Sequence, residues 1–173
     1  MGATDDATAD VDRFVAAYRT TLPEVFGYLA RATAGDRALA EDLTSETYTA
    51  ALSAWRRGQA DALTVPWLIG VARHKLVDRF RRADREQRKL AMVHALGADD
   101  IDDSGDAVDR ELLFGAIRRL PPLQRAAVAL RYVDDLPVRE VAHLLDRSVA
   151  ATDSLLRRAR TALRALIEEA ELQ

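Results

Sequence analysis

The residues best suited to contact chemistry are concentrated between Pro66 and Lys89, PWLIGVARHKLVDRFRRADREQRK. Wound as a helix, this stretch places Trp67, His74, Arg81 and Arg88 at steps of seven, close to two turns, on one face. Arg85 joins them, and Asp78 lies beside them. Leu68, Ile69, Ala72, Leu76 and Ala83 recur at helical spacing as an apolar stripe on the opposite face. From Arg73 to Lys89 there are eight Lys and Arg against three acids, a local charge of +5 in a chain whose net charge is −3. An aromatic ring and an imidazole aligned with arginines suit a nucleic-acid backbone with unstacked bases beside it. A solvated basic helix face has the same composition, so the helix alone leaves both readings open.

A second set of such residues lies near the C-terminus. Val149, Thr152, Leu156, Ala159, Leu163 and Leu166 alternate by three and four, which predicts a buried stripe on a helix. Opposite them lie Ala150, Asp153, Ser154, Arg157, Arg158, Thr161 and Arg164. The near end of that face is small and polar and the far end is basic. A recognition helix has this layout, with base edges read near its N-terminus and arginines holding phosphates or reading guanine. Ahead of it, Pro137 opens a short helix carrying Val141, Leu144 and Leu145, Asp146-Arg147 makes a tight turn, and Ser148 can cap the longer helix. The pattern is a helix-turn-helix candidate, with an ordinary αα-hairpin as the alternative.

Other chemistry is excluded or unsupported. The chain has no cysteine, so disulfides and thiolate metal sites are ruled out. His74, His94 and His143 are too scattered to suggest a metal site, and no cofactor or catalytic residue is expected. No apolar run approaches the ~18 residues needed to span a membrane. The acidic start, MGATDDATADVD, lacks the basic-then-apolar pattern of a signal peptide, so a cytoplasmic protein without membrane contact is expected. With a pI near 5.7, nucleic-acid contact must come from local basic faces on an acidic body.

The elements that position these residues are predicted to be helices throughout: an all-α chain of two small helical domains joined by an acidic flexible linker. Residues 1–9 read as a disordered acidic tail. Val11, Phe14, Val15 and Tyr18 mark a first helix, and Pro23 fits the first turn of a second, which Gly35 ends. Asp36 is a plausible cap for a helix through about Arg57. That helix carries Leu39, Leu43, Ala50 and Trp55 near its buried side, and the polar cluster Glu41, Asp42, Thr44, Ser45, Glu46 and Thr47. Gly58 to Thr64 is a loop, and Pro66 starts the basic helix. The first domain thus spans 10–92. Residues 93–107 hold five aspartates and read as a linker, and 108–173 form the second domain. There, one helix through Leu120 stops at Pro121-Pro122, and another from Ala126 ends at Asp134-Asp135. The ending at Gln173 leaves no further C-terminal domain in this reading.

Three stretches together resemble the extracytoplasmic-function (group 4) sigma factors of the sigma-70 family, specificity subunits of bacterial RNA polymerase. Ala40–Tyr48, AEDLTSETY, looks like the family's core-binding segment. Pro66–Arg82 looks like the segment that melts the promoter and reads the −10 element, and Leu120–Leu166 like the −35-binding domain. The resemblance covers about residues 12–168. It implies that Asp42, Leu43, Glu46 and Tyr48 lie at the surface docking the clamp helices of the largest polymerase subunit. It implies that Gly58–Val65 holds a base flipped from the non-template strand beside Trp67 and His74, with Arg81, Arg82, Arg85 and Arg88 tracking phosphates. It implies −35 contacts from Ser148, Asp153, Ser154, Arg157 and Arg158. Core RNA polymerase and promoter DNA are the implied partners, with an anti-sigma factor as a further one.

The chain departs from the family pattern at three positions. His74 stands where Asn is common, although a His can still donate to a base. Asp153 replaces a usual Lys, and Leu155 a usual Arg. Asp can accept from a cytosine amino group but repels phosphate, and Leu155 reads as core. A free-standing helix-turn-helix regulator would explain residues 112–168 but neither the basic-aromatic helix nor the acidic segment. A small enzyme using Asp42, Glu46 and His74 would need them to converge in one pocket.

Overall fold

The computed structural model describes residues 3–91 and 110–172, and every regular element among them is helical. Seven α-helices are described: α1 (Ala3–Ala32), α2 (Arg37–Arg56), α3 (Val65–Ala91), α4 (Arg110–Arg119), α5 (Pro122–Val128), α6 (Val138–Leu145) and α7 (Val149–Glu171). A short 3-10 turn (Ala60–Leu63) precedes α3, and a π-helical turn (Ala129–Val133) follows α5. The expected linker, 93–107, lies outside the described residues.

The start of the chain differs from expectation. The helix begins at Ala3, so most of the stretch read as a tail is helical, and an acidic sequence does suit the positive end of a helix. Pro23 lies inside this one helix and does not open a second. A mid-helix proline forfeits one backbone bond and costs about 3 kcal/mol. The same segment is tied down on both sides of the proline. Thr21 donates its hydroxyl to the Ala17 carbonyl at 2.7 Å, and Val25 and Leu29 are fully buried.

The chain divides into two compact units, Met1–Ala30 with Arg37–Lys75, and Arg31–Asp36 with Leu76–Gln173. In the first, Val25, Leu29, Leu43, Ala51, Ala62, Leu68 and Ala72 have no or almost no exposure. Two core positions on α2 are threonines. Thr44 and Thr47 donate to the Ala40 and Leu43 carbonyls at 2.7 Å each, so their hydroxyls are satisfied within the helix and their methyls can pack. Two of the six residues of the polar cluster read from the sequence are therefore interior.

In the second unit α7 packs against α4, α5 and α6. Leu120, Val128 and Ala159 form a core cluster, flanked by Ile117, Ala162, Leu163 and Leu166. The turn at 31–36 belongs to this unit. Ala34 takes a left-handed φ of 53°, and its carbonyl accepts from Arg118 Nη1 at 2.7 Å. At Gly35 (φ 73°) the left-handed backbone favours glycine, and an added Cβ would sit 3.1 Å from the Phe114 ring, which would have to give by a few tenths of an ångström. The Arg125 guanidinium lies over the Phe80 ring at 4.9 Å, with the Asp36 carboxylate 4.0 Å away. Burial lowers the Arg125 pKa, the Arg118 charge adds to that, and Asp36 opposes it.

Candidate nucleic-acid interface

α3 starts where Pro66 predicts. The Leu68 N–H bonds to the Thr64 carbonyl at 2.9 Å, and a proline in the first turn forfeits nothing. Leu68, Ala72 and Leu76 of the stripe are fully buried, Ile69 and Ala83 are half-buried, and Val77 and Phe80 join the interior. On the outward side His74, Arg82, Arg85 and Arg88 are exposed, while Trp67 and Arg81 are half-buried. The six residues therefore share one face of one helix, as their spacing implies.

Local contacts refine that face. His74 Nδ1 lies 2.8 Å from the Gly70 carbonyl. The carbonyl can only accept, so Nδ1 carries the proton and the neutral ring presents Nε2 as an acceptor. Only the imidazolium would donate outward, which narrows the donor role expected from the sequence. Arg88 pairs with Asp84 at 2.8 Å, and Arg81 with Asp146 at 3.2 Å. Each pair has one well-exposed partner, Arg88 in the first and Asp146 in the second, so solvent screens both and each contributes little to stability. Arg81, Arg85, Arg88 and Arg147 line a recess of about 280 Å³ that also contains Asp84 and Asp146. Sequence reasoning missed Arg147, because only the fold brings it to α3.

The helix-turn-helix forms as expected. Pro137 caps α6 in an extended conformation, one residue before its first turn, and Val141, Ala142 and Leu145 are buried. Asp146 ends the helix at a left-handed φ of 55°, a conformation that Asp tolerates better than most side chains. Ser148 caps α7, its hydroxyl accepting from the Ala151 N–H at 3.1 Å. Asp153, Arg157 and Arg158 are exposed on α7, Ser154 is half-buried, and Thr152, Leu155, Leu156 and Ala159 are interior. Val149 departs from the stripe read in the sequence. It is 49% exposed at the first helical position after the cap.

The acidic segment on α2 splits between surface and core. Asp42 is exposed and Glu46 half-buried, the latter 3.9 Å from Lys75 Nζ. Leu43 and Tyr48 point inward, at 0% and 6% exposure. The Tyr48 hydroxyl hydrogen-bonds Thr21 at 2.7 Å, and its ring meets Tyr18 edge-on at 4.6 Å. Burial raises the Tyr48 pKa and Tyr18 adds to it, against the Thr21 hydrogen bond. Beside Tyr48 runs an apolar groove of about 690 Å³ lined by Phe14, Tyr18, Leu22, Phe26 and Leu52. The four-residue spacing of Phe14, Tyr18, Leu22 and Phe26 was the signal for it, obscured by the helix break assumed at Pro23.

Comparison with known proteins agrees with this architecture. The family model for sigma-70 region 2 matches residues 17–86, and that for sigma-70 region 4 matches residues 110–163. α1 to α3 thus correspond to one conserved module of initiation factors and α4 to α7 to another. The ECF RNA polymerase sigma factor SigM of Bacillus subtilis is 30% identical over 151 residues, covering 86% of this chain and 91% of SigM. The ECF RNA polymerase sigma factor BldN of Streptomyces coelicolor is 30% identical over 173 residues, covering 93% of this chain, which spans 63% of BldN's length. The solved structure of the sigma factor RpoE in complex with the anti-sigma factor NepR from Bartonella quintana has the same fold. It aligns with a TM-score of 0.52 at 19% identity, over 90% of this chain and 97% of that one. The chain belongs to the ECF family of RNA polymerase sigma factors. Among the described residues no group of His, Asp and Glu could hold a metal, and no helix is long and apolar enough to cross a membrane.

Proposed function

We propose that this sigma factor binds core RNA polymerase through the outward face of α2, opens the −10 region with α3 and holds the −35 element with α7. Asp42 and Glu46 supply the acidic contact to the clamp helices of the largest subunit, and Leu43 and Tyr48 act from beneath by fixing α2. Trp67, His74 and the Gly58–Val65 turn receive the flipped base, and Arg81, Arg82, Arg85 and Arg88 follow the strand. Ser148, Asp153, Ser154, Arg157 and Arg158 face the −35 duplex. The working modules are 10–92 and 108–173, with 93–107 as the tether. The observation that carries this reading is the outward face of α3, where an aromatic, an imidazole and four arginines lie opposite the buried Leu68, Ala72 and Leu76.

The energetics need no catalysis. Unstacking a base costs a few kcal/mol, stacking on an aromatic returns ~1–3 kcal/mol, and phosphate contacts add salt-sensitive affinity. Preferential binding of the open strand is sufficient, so the proposed role needs no enzymatic activity of the chain's own, and contact with core polymerase and promoter DNA would place it in the cytoplasm. RpoE is held by NepR in its solved complex, which supports an anti-sigma partner here as well.

The test is copurification with core polymerase, followed by run-off transcription from fragmented host DNA. Discrete new transcripts with alignable start sites are expected. Trp67→Ala is expected to leave polymerase binding intact and to reduce permanganate reactivity of the −10 thymines. Unchanged reactivity would remove Trp67 from the melting step. Retention of duplex DNA without polymerase binding would instead identify a stand-alone regulator.

A further inference from the structure

The exposed start of α7 carries more than phosphate-holding charge. Val149 is 49% exposed, and Ala150 and Asp153 are exposed beside it. Ser148 fixes their position through its bond to the Ala151 N–H and its extended backbone. Arg157 and Arg158 follow one turn later on the exposed side.

We propose that Val149, Ala150 and Asp153 determine which −35 sequence this chain accepts: a thymine methyl against Val149 and Ala150, and a cytosine amino group on Asp153. The inference rests on α7 being the −35 reader. In the major groove the thymine C5-methyl is the apolar feature that small apolar side chains recognise. A carboxylate can only accept, which leaves the cytosine N4 and adenine N6 amino groups as partners. Adenine sets its N7 acceptor beside N6, where a carboxylate is repelled, and guanine offers only acceptors. Cytosine N4 has an acceptor on one side only, the O6 of its paired guanine, and the C5–H edge on the other, whereas adenine N6 is flanked by N7 and the thymine O4. Residues 149–150 and 153 are three to four positions apart, about 4.5–6 Å along the helix, so the two bases lie within about two base pairs of each other. Asp153 also repels phosphate, which confines it to the groove and leaves backbone contact to the arginines.

The experiment uses the full chain assembled with core polymerase and a promoter library randomised across the −35 element. The expected selection contains a thymine and a cytosine, on either strand, within two base pairs. Replacing that thymine by uracil removes only the methyl and is expected to weaken binding about three- to fourfold. Val149→Ser is expected to reduce the difference between thymine and uracil, Ala150 retaining the remainder. Asp153→Asn is expected to move the preference from cytosine to adenine by about tenfold, because Asn matches the adenine N6 and N7 pair. Both positions are exposed, and unchanged thermal unfolding confirms intact variants. Selection of the same element by wild type and D153N, or equal binding of thymine and uracil promoters, overturns the proposal while α7 remains the reader. A polymerase complex that transcribes without enriching any −35 sequence overturns both the proposal and the assignment of α7.

Discussion

Tyr48 shows how a residue can serve an interface without touching it. Its hydroxyl is buried against Thr21 at 2.7 Å, and burial holds its pKa above the ordinary tyrosine value. Tyr48→Phe deletes that bond and is expected to cost about 1 kcal/mol at neutral pH, read by denaturant unfolding. The pH dependence follows from linkage. Above pH 10 the unfolded chain releases the Tyr48 proton before the folded chain does, so stability falls as pH rises through the raised folded value. The Phe variant lacks that contribution, so the gap between the two proteins should narrow at alkaline pH. A constant gap up to pH 11 would refute the burial-driven shift. The same residue marks a limit of the sequence. AEDLTSETY announces an acidic helix, and Asp42 and Glu46 do face outward. That Thr44, Thr47 and Tyr48 face inward was not legible. Their polar atoms are satisfied by the Ala40 and Leu43 carbonyls and by Thr21, partners that composition does not reveal.

Among the elements, α3 and α7 were the most legible, because each has one apolar stripe and a clear start signal. Pro66 and Ser148 sit where a first turn and a cap are needed. Ser148→Ala removes the acceptor for the Ala151 N–H and is expected to cost about 1 kcal/mol, seen as a lowered thermal midpoint. Ser148→Asp should restore most of it, since Asp caps equally well. Failure of the rescue would mean that the hydroxyl matters for something other than capping. α1 was misread because Pro23 fits a first turn equally well, and the packing that carries the helix through it, with Val25 and Leu29 fully buried two and six residues on, has no local signature. The π-helical turn after α5 was also missed. It bonds the Asp134 N–H to the Ala129 carbonyl at 3.2 Å, a one-residue shift of helical pairing that has no compositional signature.

For the molecule as a whole, the all-helical class followed from periodicity and the presence of two units from the break in that periodicity, but the compact units divide within α3, at Lys75 and Leu76, and not at the change in composition near residue 93. The long-range ties followed from neither. Arg118 and Ala34 are 84 residues apart, and nothing in either neighbourhood announces their bond. Arg118→Ala would leave a carbonyl unpaired on a residue only 1% exposed. The expected loss is about 1–3 kcal/mol, measured as a lower denaturant midpoint with an unchanged slope. A midpoint equal to that of wild type would show that the carbonyl finds another donor.

The Ala34 bond also bears on how this lineage can vary. Its acceptor is a peptide carbonyl, which every amino acid at position 34 would supply in the same form. Mutation can reach only the arginine. A damaged ion pair such as Arg125 with Asp36 can be repaired by a change on either side, leaving a correlated pair of positions for later comparison. Loss of Arg118 has no counterpart change at position 34 to repair it. The tie is therefore inherited through one codon alone, and an alignment of descendants would record it as a solitary invariant arginine with no co-varying partner.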